Sequence, residues 1–471
     1  MSMIYFDNNA TTMMPPEVIR EMLQWANRGN PSASYAAASE SRKMMEDFRQ
    51  AIGRACGISI VVDGASSNPE SYRIIFTSGG SEANAMAMQG YVSRGWSAIR
   101  SGASSGGAGR HSTIPTSGFK MVYEQYEARP HIVVSSIEHK SILDCANSLR
   151  DRGLTDVTFV EPTSGGHILV ESVAAAVTDH TCGIFVMHAN NETGAINDVA
   201  AISEVGRARS IPFHTDAVQT FGKYPRELGV VDSFAVSFHK FHGPPGCGIF
   251  VIKNKWLSRD GDEAAFSPIV FGSQNDGWRG GTENLLGIGA GFRAMQLMLV
   301  DRQSKNARMA KYKMMIVDGL RKHYRVRSYQ DYIDGGPSRE VERLSSRALS
   351  CANELILISG VDEMYLPNTL LLSIVRCDGT FCNAQAKKML DRAGIVISVG
   401  SACNTANPRA SHVLFAMKAD HLIRKGALRI SIGDDTTADE VARFVRIFAK
   451  VVRECFDEKA ITSTLESRAR R

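Results

Sequence analysis

A lysine follows an apolar, strand-like run in the middle of the chain, where solvation is expected to be poor. The run 231–237 (VDSFAVS) leads to Lys240, which a histidine precedes and a glycine-proline turn follows. The apolar run before it, 211–217, ends at Asp216. A lysine amine in a poorly solvated place is either an unfavourable charge or a nucleophile. The pair therefore predicts a site in which a lysine does covalent chemistry beside a carboxylate.

Further polar residues follow other apolar runs. Each has an ordinary structural reading when taken alone: a capped helix after a glycine turn, a structural histidine, or amides that cap a loop. In open α/β sheets, however, ligands bind at the carboxyl ends of the strands, and these residues share that position. They are Gly80 and Ser81 in FTSGGSEAN, His139 in SSIEHKS, Asn191 in MHANNETG, and Gln219 close to Asp216.

Together these residues predict a site for pyridoxal phosphate (PLP). That cofactor needs a lysine for covalent attachment, an acid beside its ring nitrogen, and an anion-binding nest for its phosphate. Lys240 supplies the amine and Asp216 the acid. The glycine turn before Ser81 supplies the nest, because free N–H groups at a helix start bind anions. The turn lacks the P-loop pattern, which disfavours a nucleoside triphosphate.

The sequence resembles the class V aminotransferase-like PLP enzymes of fold type I and, within them, the cysteine desulfurases of the NifS type. The resemblance covers nearly the whole chain. It is carried by ten ordered motifs: YFDNNATT, NPSASY, FTSGGSEAN, EHKSIL, MHANNETG, HTDAVQTFGK, SFHKFHGPPGCG, RGGTEN, SVGSACN and LRISIG.

The resemblance implies a role for each matched residue. Lys240 would hold the cofactor, and His139 would stack on its ring and could shuttle protons. Arg429 would bind the substrate carboxylate, assisted by Asn8. Thr282, in RGGTEN, would reach the phosphate bound by a neighbouring subunit, which implies a homodimer. The remaining cofactor contacts would be Asn191 and Gln219 at the ring substituents, with Gly80, Ser81, Ser237 and His239 at the phosphate.

Cys403, in VISVGSACNTANP, is the residue that the resemblance makes decisive. Its thiolate would take the sulfur of L-cysteine, leaving L-alanine and an enzyme persulfide. That sulfur would pass to an acceptor protein, such as an iron–sulfur scaffold, or serve tRNA thiolation. The alternative for a cysteine is a buried inert thiol, which is the reading for the other cysteines at 56, 145, 182, 247, 351, 377, 382 and 455.

Two departures from the family pattern keep alternatives open. Phe238 stands where family members often have glycine, and a Ser/Gly-rich insertion, 100–118, precedes His139. A similar insertion occurs in selenocysteine lyases, so L-selenocysteine is the alternative substrate. Another class V aminotransferase-like enzyme and a non-catalytic scaffold are less favoured, because Cys403, Lys240, Asp216 and His139 are all present.

The elements that position these residues predict an α/β fold. Seven apolar runs separated by helical patterns indicate a mostly parallel seven-stranded sheet covered on both faces. We expect a large PLP-binding domain over 16–290, and a smaller α+β domain from 1–15 with 291–471 that carries the Cys403 segment. A second polar, turn-rich segment, 328–347, is expected to be an insertion.

Composition excludes several other classes. The net charge is +5, from 54 Lys+Arg against 49 Asp+Glu. The sequence shows no basic face interleaved with aromatic residues, so DNA binding is not indicated. No apolar run is long enough for a membrane span, and the start of the chain lacks a signal-peptide pattern. Nine cysteines without a C-x-x-C pair disfavour disulfides and a metal site. A cytoplasmic enzyme without a metal is expected.

Overall fold

The computed structural model describes residues 3–61, 68–100, 128–257, 266–335, 354–375, 383–399 and 411–456. Cys403, the insertion 100–118 apart from Arg100, and residues 336–347 of the second insertion lie outside this part of the chain. None of the described helices is long and apolar enough to cross a bilayer.

The strands form three sheets. They are β1 Ile4–Tyr5, β2 Tyr72–Thr77, β3 His131–Ser135, β4 Asp156–Val160, β5 Thr181–Phe185, β6 Phe213–Asp216, β7 Ser233–Ser237, β8 Gly248–Lys253, β9 Arg325–Ser328, β10 Glu354–Leu357, β11 Thr369–Val375, β12 Ile395–Val396, β13 Ser398–Val399 and β14 Ala427–Ser431. The largest sheet has seven strands in the order β2-β8-β7-β6-β5-β3-β4. Its pairs are parallel except the two made by β8. A mostly parallel seven-stranded sheet is what the apolar runs predicted.

Helices cover both faces of this sheet. The described α-helices are α1 Pro16–Gln24, α2 Ala36–Cys56, α3 Gly80–Arg100, α4 Lys140–Asp151, α5 Val170–Ala176, α6 Val199–Arg207, α7 Leu285–Leu299, α8 Arg302–Arg321, α9 Tyr329–Gly335, α10 Asn383–Arg392, α11 His412–Ala416, α12 His421–Gly426 and α13 Ala438–Phe456. Successive side chains of a strand point to opposite faces. In β8, Ile249 and Val251 accordingly join one core, whereas Phe250 and Ile252 join the other, with α3 and α4. Burial on both faces explains the unbroken apolar pattern of the strands.

A second unit is built around a five-stranded sheet in the order β13-β14-β11-β10-β9. Its core includes residues of α8, α10 and α13 together with Ile4 and Phe6 from the start of the chain. The first strand pairs with β12, and Asp7 forms a bridge with Ser431 at the end of β14. The start of the chain therefore joins its second half, while the exact domain boundaries stay a prediction.

The segment expected to be a turn-rich insertion differs from that expectation in its first part. Residues Tyr329–Gly335 form α9, in which Tyr329 and Tyr332 are each 6% exposed and stack with ring centroids 6.4 Å apart. Two buried aromatic rings supply the apolar contact that a short helix needs to be stable in a protein. In the sequence, the polar residues around Tyr329 and Tyr332 made the segment look like a turn and not like a helix.

Phe238, the departure from the family pattern, is a core residue. Its side chain is fully buried, with ring centroids 5.5 Å from Phe48 and 5.6 Å from Phe241. On helix α7, a Cβ added to Gly291 would lie 2.3 Å from Phe238 Cδ2. The missing side chain at Gly291 therefore makes room for the phenyl ring, which packs the turn that carries Lys240 against α7.

Phe238→Ala should lower the free energy of unfolding by about 3–5 kcal/mol, because it removes a large buried ring from a rigid surrounding. The measurement is urea unfolding followed by circular dichroism. Phe415→Ala is the control, since Phe415 is 69% exposed and its loss should cost less than about 0.5 kcal/mol. Equal losses in the two variants would contradict the packing role of Phe238.

Candidate active site

A cavity of about 390 Å³ lies at the carboxyl ends of the parallel strands. This volume is within the range of small-molecule sites. Most of the residues singled out from the sequence line it: Gly80, Ser81, His139, Asn191, Asp216, Gln219, Ser237, His239, Lys240 and Arg429. The cavity is also lined by Asn9, Ala10, Asn84, Lys140, Met187, Glu192, Val218 and His412, which the sequence reasoning did not select.

Lys240 lies in the short turn Phe238–Lys240 that follows β7. Its Nζ donates to two main-chain carbonyls, Asn9 O at 2.6 Å and Ala10 O at 2.9 Å. The neighbouring imidazole of His239 meets Thr11 Oγ1 at 3.1 Å through Nδ1. Burial and the adjacent Lys240 lower the pKa of His239 to about 4, so that ring is neutral at physiological pH.

Asp216 ends β6 and is 5% exposed. Its carboxylate accepts a hydrogen bond of 2.8 Å from Asn84 Nδ2 and one of 2.9 Å from the main-chain N–H of Val218. A carboxylate has about four acceptor sites, so these two bonds orient it and leave capacity for a ligand donor. Asn84 is on α3, three residues after Ser81, and is itself 1% exposed.

The glycine turn before α3 leaves space at the start of that helix. Gly79 has a φ of +152°, a conformation that side chains disfavour. At Gly80 an added Cβ would lie 2.6 Å from Val218 Cγ2. Side chains at these positions would strain the turn or fill the space beside the first N–H groups of α3. The hydroxyl residues Ser81 and Ser237 line the same end of the cavity, which suits a phosphate group.

Arg429 lies in the middle of β14 and is 2% exposed. Its guanidinium donates from Nη2 to Asp7 Oδ1 at 2.7 Å and from Nη1 to the main-chain carbonyl of Asn191 at 3.0 Å. The Nε–H is buried and has no hydrogen-bond partner among the described residues. A buried donor without an acceptor is costly, so a ligand carboxylate at this edge would be favourable.

Three of the predicted residues are not among those lining the cavity. Asn8 donates from its amide to the carbonyls of Tyr5 and Ser431, and lines a neighbouring cavity that Lys240 also borders. Its neighbour Asn9 lines the cavity instead. Thr282 is exposed in the loop before α7. Cys403 lies outside the described residues, so its role and those of Asn8 and Thr282 stay predictions.

The described residues just before and just after the Cys403 segment contact residues that line the cavity, or line it themselves. Before it, Val399 pairs with Leu428 and Ser398 pairs with Arg429. After it, Ser411 Oγ donates to Glu192 Oε2 at 2.5 Å. His412 follows, lines the cavity, and donates from Nε2 to the main-chain carbonyl of Glu138 at 3.0 Å. The described residues that flank 400–410 thus lie beside residues that line the site.

The cysteines in the described part of the chain are unsuited to nucleophilic work. They are free thiols, and those at 56, 247 and 455 are buried. Burial raises the pKa of Cys247 to about 11 and that of Cys56 to about 12. A thiol with such a pKa is almost wholly protonated at neutral pH and is a poor nucleophile. No group of His, Cys, Asp and Glu within the described residues is arranged to hold a metal ion.

Comparison with known proteins agrees with this geometry. The profile of the aminotransferase class-V family matches residues 4–103 and 111–346. A cysteine desulfurase from Cereibacter sphaeroides is 31% identical over 459 residues, which cover 96% of this chain and 96% of the relative. Cysteine desulfurase IscS from Clostridium botulinum is 28% identical over 457 residues, covering 96% and 94% of the two chains. A solved NifS-like protein aligns with a TM-score of 0.70 at 26% identity, covering 96% of this chain and 99% of the other.

The fold and the cavity define an α/β enzyme with a lysine at the carboxyl edge of its main sheet. The chain belongs to the aminotransferase class-V family and, within it, to the NifS-type group. The resemblance seen in the ten motifs and the predicted fold class are both confirmed.

A partly buried ion pair supports the turn that carries Lys240. Both ring nitrogens of His242 face acceptors: Nδ1 lies 2.8 Å from Met13 O, and Nε2 lies 2.7 Å from Asp434 Oδ1. Burial alone would lower the pKa of His242, but the hydrogen bond and charge of Asp434 outweigh it and raise that pKa. The same pairing, with Lys305 at 3.4 Å, holds the pKa of Asp434 below its usual range. The pair joins the two halves of the chain beside the site.

His242→Gln should lower the free energy of unfolding by about 1.5–3 kcal/mol at pH 5.5, where both partners are charged. Because the folded-state pKa of His242 is raised, its contribution is complete below the unfolded value near 6.5 and is lost as pH rises through the folded value. The loss should therefore shrink at pH 9 in urea unfolding. The exposed His323→Gln serves as control, and an equal loss at both pH values would rule out the charged pair.

Proposed function

We propose that this protein is a PLP-dependent cysteine desulfurase that converts L-cysteine to L-alanine and carries the sulfur on Cys403. The observation that carries the proposal is the cavity shared by Lys240, Asp216, His139 and Arg429, beside which lie the described residues that flank the Cys403 segment. The C. sphaeroides and C. botulinum relatives, matched over nearly their whole length, are both named cysteine desulfurases.

The cofactor would be held by residues whose chemistry suits each of its parts. The glycine turn with Ser81, Ser237 and His239 fits the phosphate, because N–H and hydroxyl donors converge there. Lys240 fits as the amine for covalent attachment, and the buried Asp216 carboxylate fits a protonated ring nitrogen. Asn191 and Gln219 lie where they could contact the ring substituents. When bound, PLP supplies an electron sink for the amino-acid substrate.

Arg429 would bind the carboxylate of the substrate. Its Nη2 already contacts Asp7, so the guanidinium is oriented before a ligand arrives and its charge is partly balanced. The buried Nε–H is the donor that lacks an acceptor. A planar guanidinium can meet a carboxylate with two parallel hydrogen bonds, which fixes the amino acid in one orientation. Asn8 would assist through its position beside Lys240 in the neighbouring cavity.

Cys403 would receive the sulfur. Its thiolate attacks the substrate sulfur, so that the carbon–sulfur bond breaks and a sulfur–sulfur bond forms; L-cysteine and the thiol become L-alanine and the persulfide. The thiolate is the reactive form. Cys403 follows Val399 by four residues, a length of chain that spans at most about 14 Å. Val399 in turn lies one residue from the position that pairs with Arg429, so the thiol is tethered near the site.

The persulfide would pass to an acceptor protein, with iron–sulfur cluster assembly or tRNA thiolation as the outlet. We further propose a homodimer, in which the exposed Thr282 reaches the phosphate site of the partner subunit. The domain boundary at 290 and a cytoplasmic location remain expectations from the sequence. L-selenocysteine remains the alternative substrate, and it is separated from L-cysteine by comparing the two turnover rates.

Cys403→Ser and Lys240→Ala test the proposal as a pair. Cys403→Ser should bind PLP and respond spectrally to L-cysteine, yet form almost no alanine and carry no labelled sulfur, because a serine hydroxyl is un-ionised at neutral pH. Lys240→Ala should fold but lose the visible absorbance of the lysine-bound cofactor. The measurements are absorbance spectra, alanine release and transfer of ³⁵S. Wild-type turnover by Cys403→Ser would refute the desulfurase, and release of pyruvate instead of alanine would indicate another class V reaction.

Arg429→Lys should raise the KM for L-cysteine about 10- to 100-fold, since an ammonium group cannot replace a bidentate guanidinium and loses about 1.5–3 kcal/mol of charged hydrogen bonding. Steady-state alanine formation is the measurement, with PLP content checked in each preparation. Arg424→Lys is the matched control, because Arg424 lies outside the cavity and stacks on Phe415. An unchanged KM in Arg429→Lys would show that another group binds the carboxylate.

A further inference from the structure

A continuous path of buried and partly buried hydrogen bonds runs from the core to His139. Asn84 is its centre. The amide Nδ2 lies 2.8 Å from Asp216 Oδ2 and 3.0 Å from Ser141 Oγ, while Oδ1 lies 3.0 Å from His214 Nε2. Ser141 Oγ in turn lies 2.9 Å from Nδ1 of His139. One amide therefore joins the carboxylate and the imidazole that are proposed to contact the cofactor.

The chemistry of the members fixes the direction of every bond. A carboxylate only accepts, so the Asn84 group facing Asp216 is the NH₂ group, and its second hydrogen goes to Ser141 Oγ. Oδ1 must then accept from His214 Nε2–H. Because Ser141 Oγ already accepts from Asn84, its own hydrogen is available for His139 Nδ1. His139 Nδ1 must be the acceptor of this bond, because it also accepts from the main-chain N–H of Ser141.

The far end of the path agrees with this direction. His214 is fully buried, and burial lowers its pKa to about 3, so it is neutral and carries one ring proton. Its Nδ1 lies 2.9 Å from Ser233 Oγ, which lies 2.6 Å from the hydroxyl of the fully buried Tyr91. Tyr91 can donate to Ser233, Ser233 to His214 Nδ1, and His214 Nε2–H to Asn84. Each of these groups is satisfied only if the hydrogens point towards His139.

A second donor meets the same nitrogen of His139. His139 is the N-cap of α4, and its Nδ1 accepts a hydrogen bond of 3.2 Å from the main-chain N–H of Ser141. The positive end of the helix dipole also disfavours a proton at this position. A neutral histidine at a helix N-terminus can act by polarising a ligand through its remaining N–H. Two donors and the helix terminus thus place the ring proton of His139 on Nε2.

We propose that Asn84 and Ser141 are positioning residues that hold His139 as the neutral tautomer protonated on Nε2. His139 then serves as a fixed hydrogen-bond donor and not as the base that removes a substrate proton, since the lone pair on Nδ1 is occupied. The tautomer follows from the hydrogen bonds alone, whereas the role in the reaction rests on the proposed desulfurase function. Proton removal then belongs to another group of the site, for which the amine of Lys240 is the candidate.

The test reads the tautomer in protein stripped of PLP, so it does not depend on turnover. Deuterated protein labelled with ¹⁵N-histidine is examined by long-range ¹H–¹⁵N correlation at pH 7.5, and His139→Gln assigns the signal. In the wild type we expect a proton on Nε2 only. Ser141→Ala removes one of the two donors, worth about 0.5–1.5 kcal/mol, and should raise the ratio of the Nδ1–H to the Nε2–H form about 3- to 10-fold. Ser141→Thr keeps a hydroxyl and should restore the wild-type ratio.

A proton on Nδ1 in the wild type, a doubly protonated ring at pH 7.5, or an unchanged ratio in Ser141→Ala would overturn the proposal. Circular dichroism confirms that each variant is folded. In the PLP-loaded enzyme, Ser141→Ala should lower kcat about 3- to 10-fold with little change in KM, and Ser141→Thr should recover it. If the tautomer is as expected while wild-type enzyme forms no alanine from cysteine, the proposed function fails and the tautomer assignment stands.

Discussion

The site depends on two hydrogen bonds from Lys240 to main-chain carbonyls near the start of the chain. Nζ is bound by Asn9 O and Ala10 O, which lie in an irregular segment between β1 and α1. The same segment is tied to the second half of the chain, because the main-chain N–H of Asn9 donates to Ser431 Oγ and its side chain bonds Thr369 and Asn368. The turn that contains Asn9 and Ala10 thus links the lysine of the large sheet to the small sheet that carries Arg429.

That arrangement explains how several charges coexist in a largely buried cavity. Arg429 in the cavity is balanced by Asp7, and His242 in the neighbouring cavity is balanced by Asp434, so these two cations each have a carboxylate from a distant part of the chain. A buried charge without a partner costs several kcal/mol, and truncating one partner leaves that cost exposed. Asp7 and Arg429 are separated by 422 residues in sequence. Their contact, like that of His242 with Asp434, therefore forms only when the two halves of the chain have assembled, and the site is complete only in the fully folded protein.

Much of the large sheet and its site could be predicted from the sequence because the signal was local. A strand buried on both faces appears in the sequence as an unbroken apolar run, and the polar residue that follows it lies at the sheet edge where ligands bind. Asp216 and Lys240 were found in this way.

Such reasoning could not decide between Asn8, which was predicted to assist at the site, and Asn9, which lines the cavity. Neither residue lies in a described strand or helix, so no periodicity says which side chain faces the cavity. Asn84 was missed for a related reason, since its position on α3 looks like an ordinary buried helix residue until Asp216 is placed beside it. Strand β9 was missed because its residues are largely exposed and two of its four are arginines.

Burial makes the described thiols unsuited to the role that is proposed for Cys403. Packing Cys56 or Cys247 into the core raises the thiol pKa, which makes such residues inert at neutral pH. In the proposed function Cys403 receives sulfur as a thiolate and then passes it to an acceptor, and a thiol packed in the core is unsuited to both steps. The chain instead places Cys403 between two anchored residues, Val399 in the small sheet and Ser411 on Glu192. Described strands and turns hold Lys240, Asp216 and Arg429, and Cys403 is joined to them through Val399, which lies four residues before it.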